Sequence, residues 1–347
     1  MPLMRKSCLT LIPLYGGLML TNTAFAAINV PMSNTPLAGL TQSFPANVYL
    51  TLSVEFPTAG AAYNSKTTLN TDADLKVAYR GYFDSNKCYV YNTNGYFEPV
   101  AAAKTTNGFI GICNSSTDNQ FSGNILNWFS MTALDVYRST MTGGNRALGA
   151  DTQPVNYSSG DTTSFTSLRR ANVVSGQNKN YQLTNRKLTF SKNTIKQYLP
   201  HTYISNPNKN GSDTITVTAN NDTFNVTIQG TSNLNTDLAA VVQVCKSGFL
   251  EANCSKYGNS YKPEGLMQKN VNKMNFSALG YLNISGSSTS KTGGKQISGG
   301  VVRSELGSIL SEFNQTTGQY VVNPFPPGRC FCNRSSCGQQ WFYELPE

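Results

Sequence analysis

The sequence predicts an α/β chain rich in short strands, and three observations predict it. The runs Val48–Phe56 and Thr214–Ile228 alternate apolar and polar residues with the two-residue period of a half-buried strand. The run Phe121–Arg146 instead spaces Ile125, Phe129, Leu134, Tyr137 and Met141 mostly three and four residues apart, the pattern of one helix face. Of 347 residues, 39% are hydrophobic and 13% charged, enough apolar mass for one large or two modest domains.

The elements follow in chain order. Met1–Ala26 has two basic residues, Arg5 and Lys6, then the apolar stretch Leu9–Leu20 and the small-residue site Ala24-Phe25-Ala26. It is expected to be a signal peptide, with the mature chain in the periplasm, at the cell surface or at the tip of a surface fibre. The apolar run is too short, and too interrupted by Pro13, to span a bilayer comfortably. Removing Arg5 and Lys6 lowers the formal charge from +9 to +7, a thin excess whose only tight cluster is Arg169-Arg170. That excess reads as a solvated basic surface, with no nucleic-acid footprint visible and no nucleic-acid partner expected.

Residues 27–150 open with the strand Val48–Phe56, which Pro57 and Gly60 end. Leu75–Phe83 reads as strand-like or extended. Tyr82–Pro99 is an aromatic hairpin turning at Asn94-Gly95. Phe121–Arg146 reads as one helix, capped by Ser122 or Asn124 and stopped by Gly143-Gly144. Tyr89, Tyr91, Tyr96, Phe97 and Trp128 are assigned to the core rather than to a binding surface.

Residues 151–237 are polar and read as a β-rich insertion, holding the hairpin Thr214–Ala219/Phe224–Ile228 and further strands between Leu168 and Phe190. In the third stretch, Leu238–Cys245 is a strand or short helix and Tyr261–Lys273 reads as a helix with Pro263 near its first turn. Met274–Leu282 is a strand, and Gly299–Arg303 follows a Gly/Ser/Lys-rich loop.

Seven cysteines follow the leader. In an oxidising compartment Cys88–Cys113 and Cys245–Cys254 are the natural local pairs. A zinc site is not supported: the cysteine spacings are irregular and the lone histidine, His201, lies in an unrelated stretch. Ten Asn-x-Ser/Thr sequons, among them Asn114, Asn221, Asn225 and Asn283, follow from the Asn/Ser/Thr-rich composition.

Four segments in this order resemble the PilC/PilY family, large secreted proteins of type IV pilus biogenesis found at the pilus tip. They are Tyr82–Pro99, Ser122–Arg146 (Ser-Gly-Asn-x-Leu-Asn-Trp…Asp…Arg…Gly-Gly-x-Arg), Lys262-Pro-Glu-Gly-Leu-x-Gln268, and Phe276–Asn283 followed by Gly299-Gly-Val-Val-Arg303. The resemblance covers roughly residues 44–324 and singles out Asn127, Trp128, Asp135, Arg138, Gly143, Gly144, Arg146, Gly265 and Gln268.

The resemblance implies a von Willebrand factor A-like core (44–150 and 238–324) with the β-rich insertion between. It implies a non-enzymatic role in pilus assembly and surface adhesion, with minor pilins and host or surface glycans or receptors as partners. Two departures stand out. The metal site of such a core needs Asp-x-Ser-x-Ser after its first strand, and this chain reads Leu52-Ser53-Val54-Glu55-Phe56, so no metal and no cofactor are expected. The family's C-terminal propeller is expected to be missing.

The tail 328–347, with Cys330, Cys332, Cys337 and Trp341, departs from the family pattern. It is expected to be frameshift-derived on a shortened reading frame, with a genuine disulfide knot as the alternative. No nucleophile elbow, P-loop or His-Glu-x-x-His is present, and Asp72/Asp74 and Asp84/Glu98 read as solvated carboxylates, so no catalytic residue is assigned. The alternative function is a secreted glycan-binding or glycan-active β-rich protein unrelated to pili.

Overall fold

The computed structural model describes residues 45–51, 60–63, 68–70, 75–113, 119–147, 161–171, 186–200, 212–220, 223–228, 238–281 and 300–320. All belong to one unit of contacts, Phe44–Glu347. The expected signal peptide, Leu52–Phe56, Asp72, Asp74, Asn114, His201, Asn221, Asn283 and the tail 328–347 lie outside the described residues.

The chain is mixed α/β and strand-rich. Its first elements are β1 (Ala46–Thr51), β2 (Thr68–Asn70), β3 (Lys87–Tyr91), β4 (Phe97–Ala102), β5 (Lys104–Thr106), β6 (Phe109–Ile112) and β7 (Phe121–Ser122). The helices α1 (Gly123–Ser130) and α2 (Ala133–Thr142) follow, then β8 (Thr166–Arg169), β9 (Arg186–Ser191) and α3 (Lys192–Ile195). Next come β10 (Ser212–Asn220), β11 (Thr223–Ile228), β12 (Leu238–Ala239), β13 (Val241–Val244), β14 (Cys254–Tyr257) and β15 (Ser260–Pro263). The series closes with α4 (Leu266–Lys269), β16 (Met274–Tyr281), β17 (Gly300–Gly307) and a 3-10 turn at Ile309–Ser311.

The central sheet has the order β7-β3-β4-β13-β8. The hairpin β3–β4 forms as alternation predicts, with Tyr91 opposite Phe97 and a positive φ of 84° at Gly95. Val242 of β13 lies parallel to Phe97, and β8 closes the far side against β13. A second five-stranded sheet runs β12-β11-β10-β9-β2 and holds the expected β10–β11 hairpin, with Val217 opposite Val226. A third sheet, β1-β16-β17, pairs β1 parallel to β16. Strands from the polar stretch 151–237 thus build sheets with strands on either side of it.

Apolar burial explains this arrangement. Phe83, Tyr89, Phe97 and Phe121 meet edge-to-face with ring centroids 5.3 Å apart, and Phe97 stacks on Phe224 at 6.0 Å, which ties the second sheet to the first. Tyr89, Phe97 and Trp128 are buried as expected, and Tyr91 and Tyr96 are half-buried. A smaller core gathers Met267, Phe276, Ala278, Ile309, Phe313 and Tyr320 under the third sheet.

Three readings are corrected. The single helix over Phe121–Arg146 is two helices, because Met131 and Thr132 are extended, with ψ of 137° and 163°. Thr132 caps α2 through a reciprocal box with Asp135, and the segment 60–62 enters the break, where Ala62 N–H donates to the Met131 carbonyl at 3.0 Å. Ser122 takes the N-cap position of α1 without a side-chain bond, and Gly143 stops α2 with φ 82° as expected. Tyr261–Lys273 is not one helix: Ser260–Pro263 pairs with Cys254–Tyr257, which leaves only Leu266–Lys269 helical. Finally, Arg169-Arg170 is not a solvated pair. Arg170 is 1% exposed and its N–H donates to the Ala240 carbonyl, so the sheet has taken it inside.

Leu75–Phe83 joins no ladder: it turns at Leu75–Lys76 and bends at Val77 and Gly81–Phe83, and buried amides take the ladder's place. Asn124 Oδ1 accepts the Tyr79 N–H at 2.8 Å. Asn127 Oδ1 accepts the Phe83 N–H at 3.1 Å, while its Nδ2 donates to the carbonyls of Tyr79 and Phe83 at 2.8 and 2.7 Å. Both asparagines are fully buried on α1, every residue of which is buried.

Candidate functional site

Of the residues singled out by sequence, Arg138, Gly143, Gly144, Arg146, Gly265 and Gln268 converge where α2 ends, Asp135 holds its first turn, and Asn127 and Trp128 lie on α1. Asp135 is fully buried and works as an acceptor. Its Oδ2 takes the Thr132 N–H at 2.9 Å and the Thr132 hydroxyl at 2.7 Å, and its Oδ1 takes the Ala171 N–H at 2.8 Å. The Arg138 carbonyl receives the N–H groups of Gly143 and Gly144. These are the orphan groups of a helix end, satisfied by a left-handed stop.

That stop is packed against the Pro263–Gly265 turn. A Cβ on Gly143 would lie 2.5 Å from the Pro263 carbonyl oxygen, and a Cβ on Gly265 would lie 2.2 Å from the Met141 carbonyl carbon. The two backbones therefore approach to a distance that only glycine permits. Gln268 locks them: Nε2 donates to the Thr142 carbonyl at 2.8 Å and Oε1 accepts the Gly265 N–H at 2.9 Å. The Tyr320 hydroxyl donates to the same Thr142 carbonyl at 3.0 Å.

Below this joint lies a buried ion cluster. Arg146 Nη1 sits 2.9 Å from Asp161 Oδ2, and Lys262 Nζ sits 2.9 Å from Asp161 Oδ1, with all three side chains at most 2% exposed. Arg146 also donates to the carbonyls of Gly318 and Pro263 and lies 4.0 Å above the Tyr320 ring. Lys262 donates to Thr166 Oγ1 at 2.8 Å and to the carbonyls of Thr162 and Phe165. Two cations thus share one carboxylate, and backbone carbonyls take up the remaining positive field. Burial pushes the Lys262 ammonium below its ordinary pKa; Asp161 opposes that shift and Arg146 adds to it.

The expected disulfides Cys88–Cys113 and Cys245–Cys254 are both present. They are joined by an ion pair, Lys87 Nζ to Glu251 Oε1 at 2.6 Å. The sulfurs of Cys245 and Cys254 and the Glu251 carboxylate lie within 4.8 Å of one another, but bridged sulfurs carry no thiolate charge and do not make an ion site. Asp84 and Glu98 serve different lysines, Asp84 Oδ2 lying 3.5 Å from Lys87 and Glu98 Oε1 2.7 Å from Lys246.

Chemically, this constellation is a structural joint. Its amides, guanidinium and carboxylates face backbone groups and one another. Trp128 is 1% exposed and packs on Phe129. Sequence reading missed Asp161, Tyr320 and Glu251. Lys262 stood inside a quoted motif, and its pairing with Asp161 had no local signal.

A family model described as "PilY1 homolog, small alpha/beta domain" matches residues 70–242. Among curated proteins, one type IV pilus biogenesis factor PilY1 homolog of Xylella fastidiosa strain Temecula1 is 28% identical over 273 residues, covering 73% of this chain and 21% of that protein. A second one from the same strain is 25% identical over 304 residues, covering 76% and 19%. The chain therefore spans about a fifth of the length of the curated relatives it matches. No solved structure matches significantly.

Proposed function

The chain is a member of the PilY1-like family, and from that premise we propose that it serves type IV pilus biogenesis as an exported, non-enzymatic component that engages minor pilins and contributes to surface adhesion through glycans or receptors. The observation that carries this reading is the family match over residues 70–242, which takes in both long helices and the central sheet up to the first half of β13. The motif residues support a non-catalytic role, because Asn127, Asp135, Gly143, Arg146 and Gln268 are used on internal backbone contacts. The von Willebrand factor A-like core belongs to the same proposal. Its support is the parallel pairing of β1 with β16 and of β4 with β13.

The test is deletion in the bacterium that encodes the chain, with surface pili counted by electron microscopy and twitching scored on agar. Loss of pili, restored by the gene in trans, is expected. Unchanged piliation together with binding on a carbohydrate array would overturn the pilus reading in favour of a glycan module.

A further inference from the structure

Glu251 stands inside the Cys245–Cys254 loop, and its two carboxylate oxygens have different surroundings. Oε1 takes the Lys87 ammonium at 2.6 Å. Oε2 accepts the Cys245 N–H at 2.6 Å and lies 3.2 Å from Cys254 Sγ. A bridged sulfur carries no hydrogen, so that approach is not a hydrogen bond in the oxidised protein. Once the bridge is open, the same geometry is an S–H donor aimed at a carboxylate. Access also differs between the bridges. Cys254 is half-buried, whereas Cys88 and Cys113 are 1% and 2% exposed.

We propose that Glu251 is the internal base and acid for thiol–disulfide exchange at Cys245–Cys254. In the reduced chain the Cys254 thiol gives its proton to Glu251 Oε2, and the thiolate attacks one sulfur of a small-molecule disulfide. That S–S bond breaks, one thiolate leaves and takes up the proton held by Glu251, and a mixed disulfide on Cys254 forms. The Cys245 sulfur, having lost its proton to solvent, then attacks Cys254 Sγ and displaces the second thiol. Two electrons pass from the protein dithiol to the small-molecule disulfide, which departs as two thiols. In the reverse direction the Glu251 carboxyl protonates Cys254 as it leaves.

The surroundings suit that role. Burial holds the Glu251 carboxyl above its ordinary pKa, and Lys87 pulls it back. A base whose pKa is moved toward that of a thiol, about 8.5, accepts a thiol proton more readily than a solvated carboxylate does. The charged and titratable groups around it are Lys87, Asp84 at 3.5 Å from Lys87, and Tyr89, whose phenol is pushed up by burial and by the Glu251 charge. The inference is independent of the pilus reading.

The experiment uses the full folded chain. A limiting dithiol opens the accessible bridge under native conditions, and glutathione disulfide then recloses it. Quenched alkylation and mass mapping follow each cysteine from pH 5 to pH 9. Glu251→Gln should slow closure at pH 7 by roughly 10²-fold, the size of a general-base contribution, and leave a profile set by the thiols alone. Cys88–Cys113 should stay closed in both proteins, which certifies the fold. Glu251→Asp, one methylene shorter, should fall between the two. Closure of Glu251→Gln at the wild-type rate overturns the proposal, and so does faster closure, which would make Glu251 only a charge that repels the thiolate. Should the Gln variant misfold, Glu251→Asp decides: a wild-type rate there also overturns the proposal, because the 3.2 Å placement would then be irrelevant.

Discussion

Gly143 and Gly265 each give up the space of a side chain to the other's strand of backbone: Pro263–Glu264 fills the Cβ position of Gly143, and Met141–Thr142 fills that of Gly265. This mutual approach joins the end of α2 to the start of α4, and Gln268 seals it.

Gly143→Ala should therefore cost roughly 2–4 kcal/mol, from left-handed strain plus overpacking against immovable backbone. Gly248→Ala is the control, since Gly248 has φ 85° with nothing within 4 Å and carries the strain alone. Urea unfolding of both variants should give the larger loss at Gly143.

Asp161→Ala leaves two cations buried without their shared anion and should destabilise by roughly 3–5 kcal/mol. Lys262→Met removes one cation and leaves the Arg146–Asp161 pair intact, so it should cost clearly less. Equal midpoints for the two variants would show that Asp161 is not the centre of the cluster.

Glu312 supplies a pH dependence. It is 5% exposed, and burial raises its carboxyl from the ordinary 4.5 to about 8. The folded state then holds a proton that the unfolded state has released, so stability falls as pH rises between those values. The contribution is full below about 4.5 and gone once pH has passed through 8. Glu312→Gln should flatten the melting temperature across pH 5–8; an unchanged slope would remove Glu312 as its source.

Trp128→Ala should cost roughly 3–5 kcal/mol, because the indole is enclosed against Phe129 and a truncated side chain leaves a cavity. Thermal unfolding checks it, and an unchanged midpoint would place the ring outside the core.

Legibility in the sequence followed the range of the interactions. The hairpins β3–β4 and β10–β11 could be read because alternation and turn residues are local. Both disulfides could be read because each pair is near in sequence. The break between α1 and α2 was written in Thr132-x-x-Asp135, a capping box concealed by a continuous helical spacing of apolar residues. The Tyr261–Lys273 helix failed because Ser260–Pro263 had a strand partner just upstream. Asp161 was illegible for a different reason: its partners Lys262, Arg146 and Tyr320 come from distant segments, and a lone aspartate in a polar stretch carries no local mark.

The parallel seating of Val242 beside Phe97 also sets a timetable. A chain that crosses a membrane N-terminus first delivers β4 (Phe97–Ala102) well before β13 (Val241–Val244), so β4 waits for the strand that covers it. During that interval the Phe97–Ala102 strand has its hairpin partner on one side and a bare edge on the other, a template for pairing with a neighbouring unfolded chain. Pairings this distant also place the fold among slow folders. Chains released before Val244 should aggregate whatever their sequence upstream, so the strand that completes the sheet decides when the protein becomes safe to leave unattended.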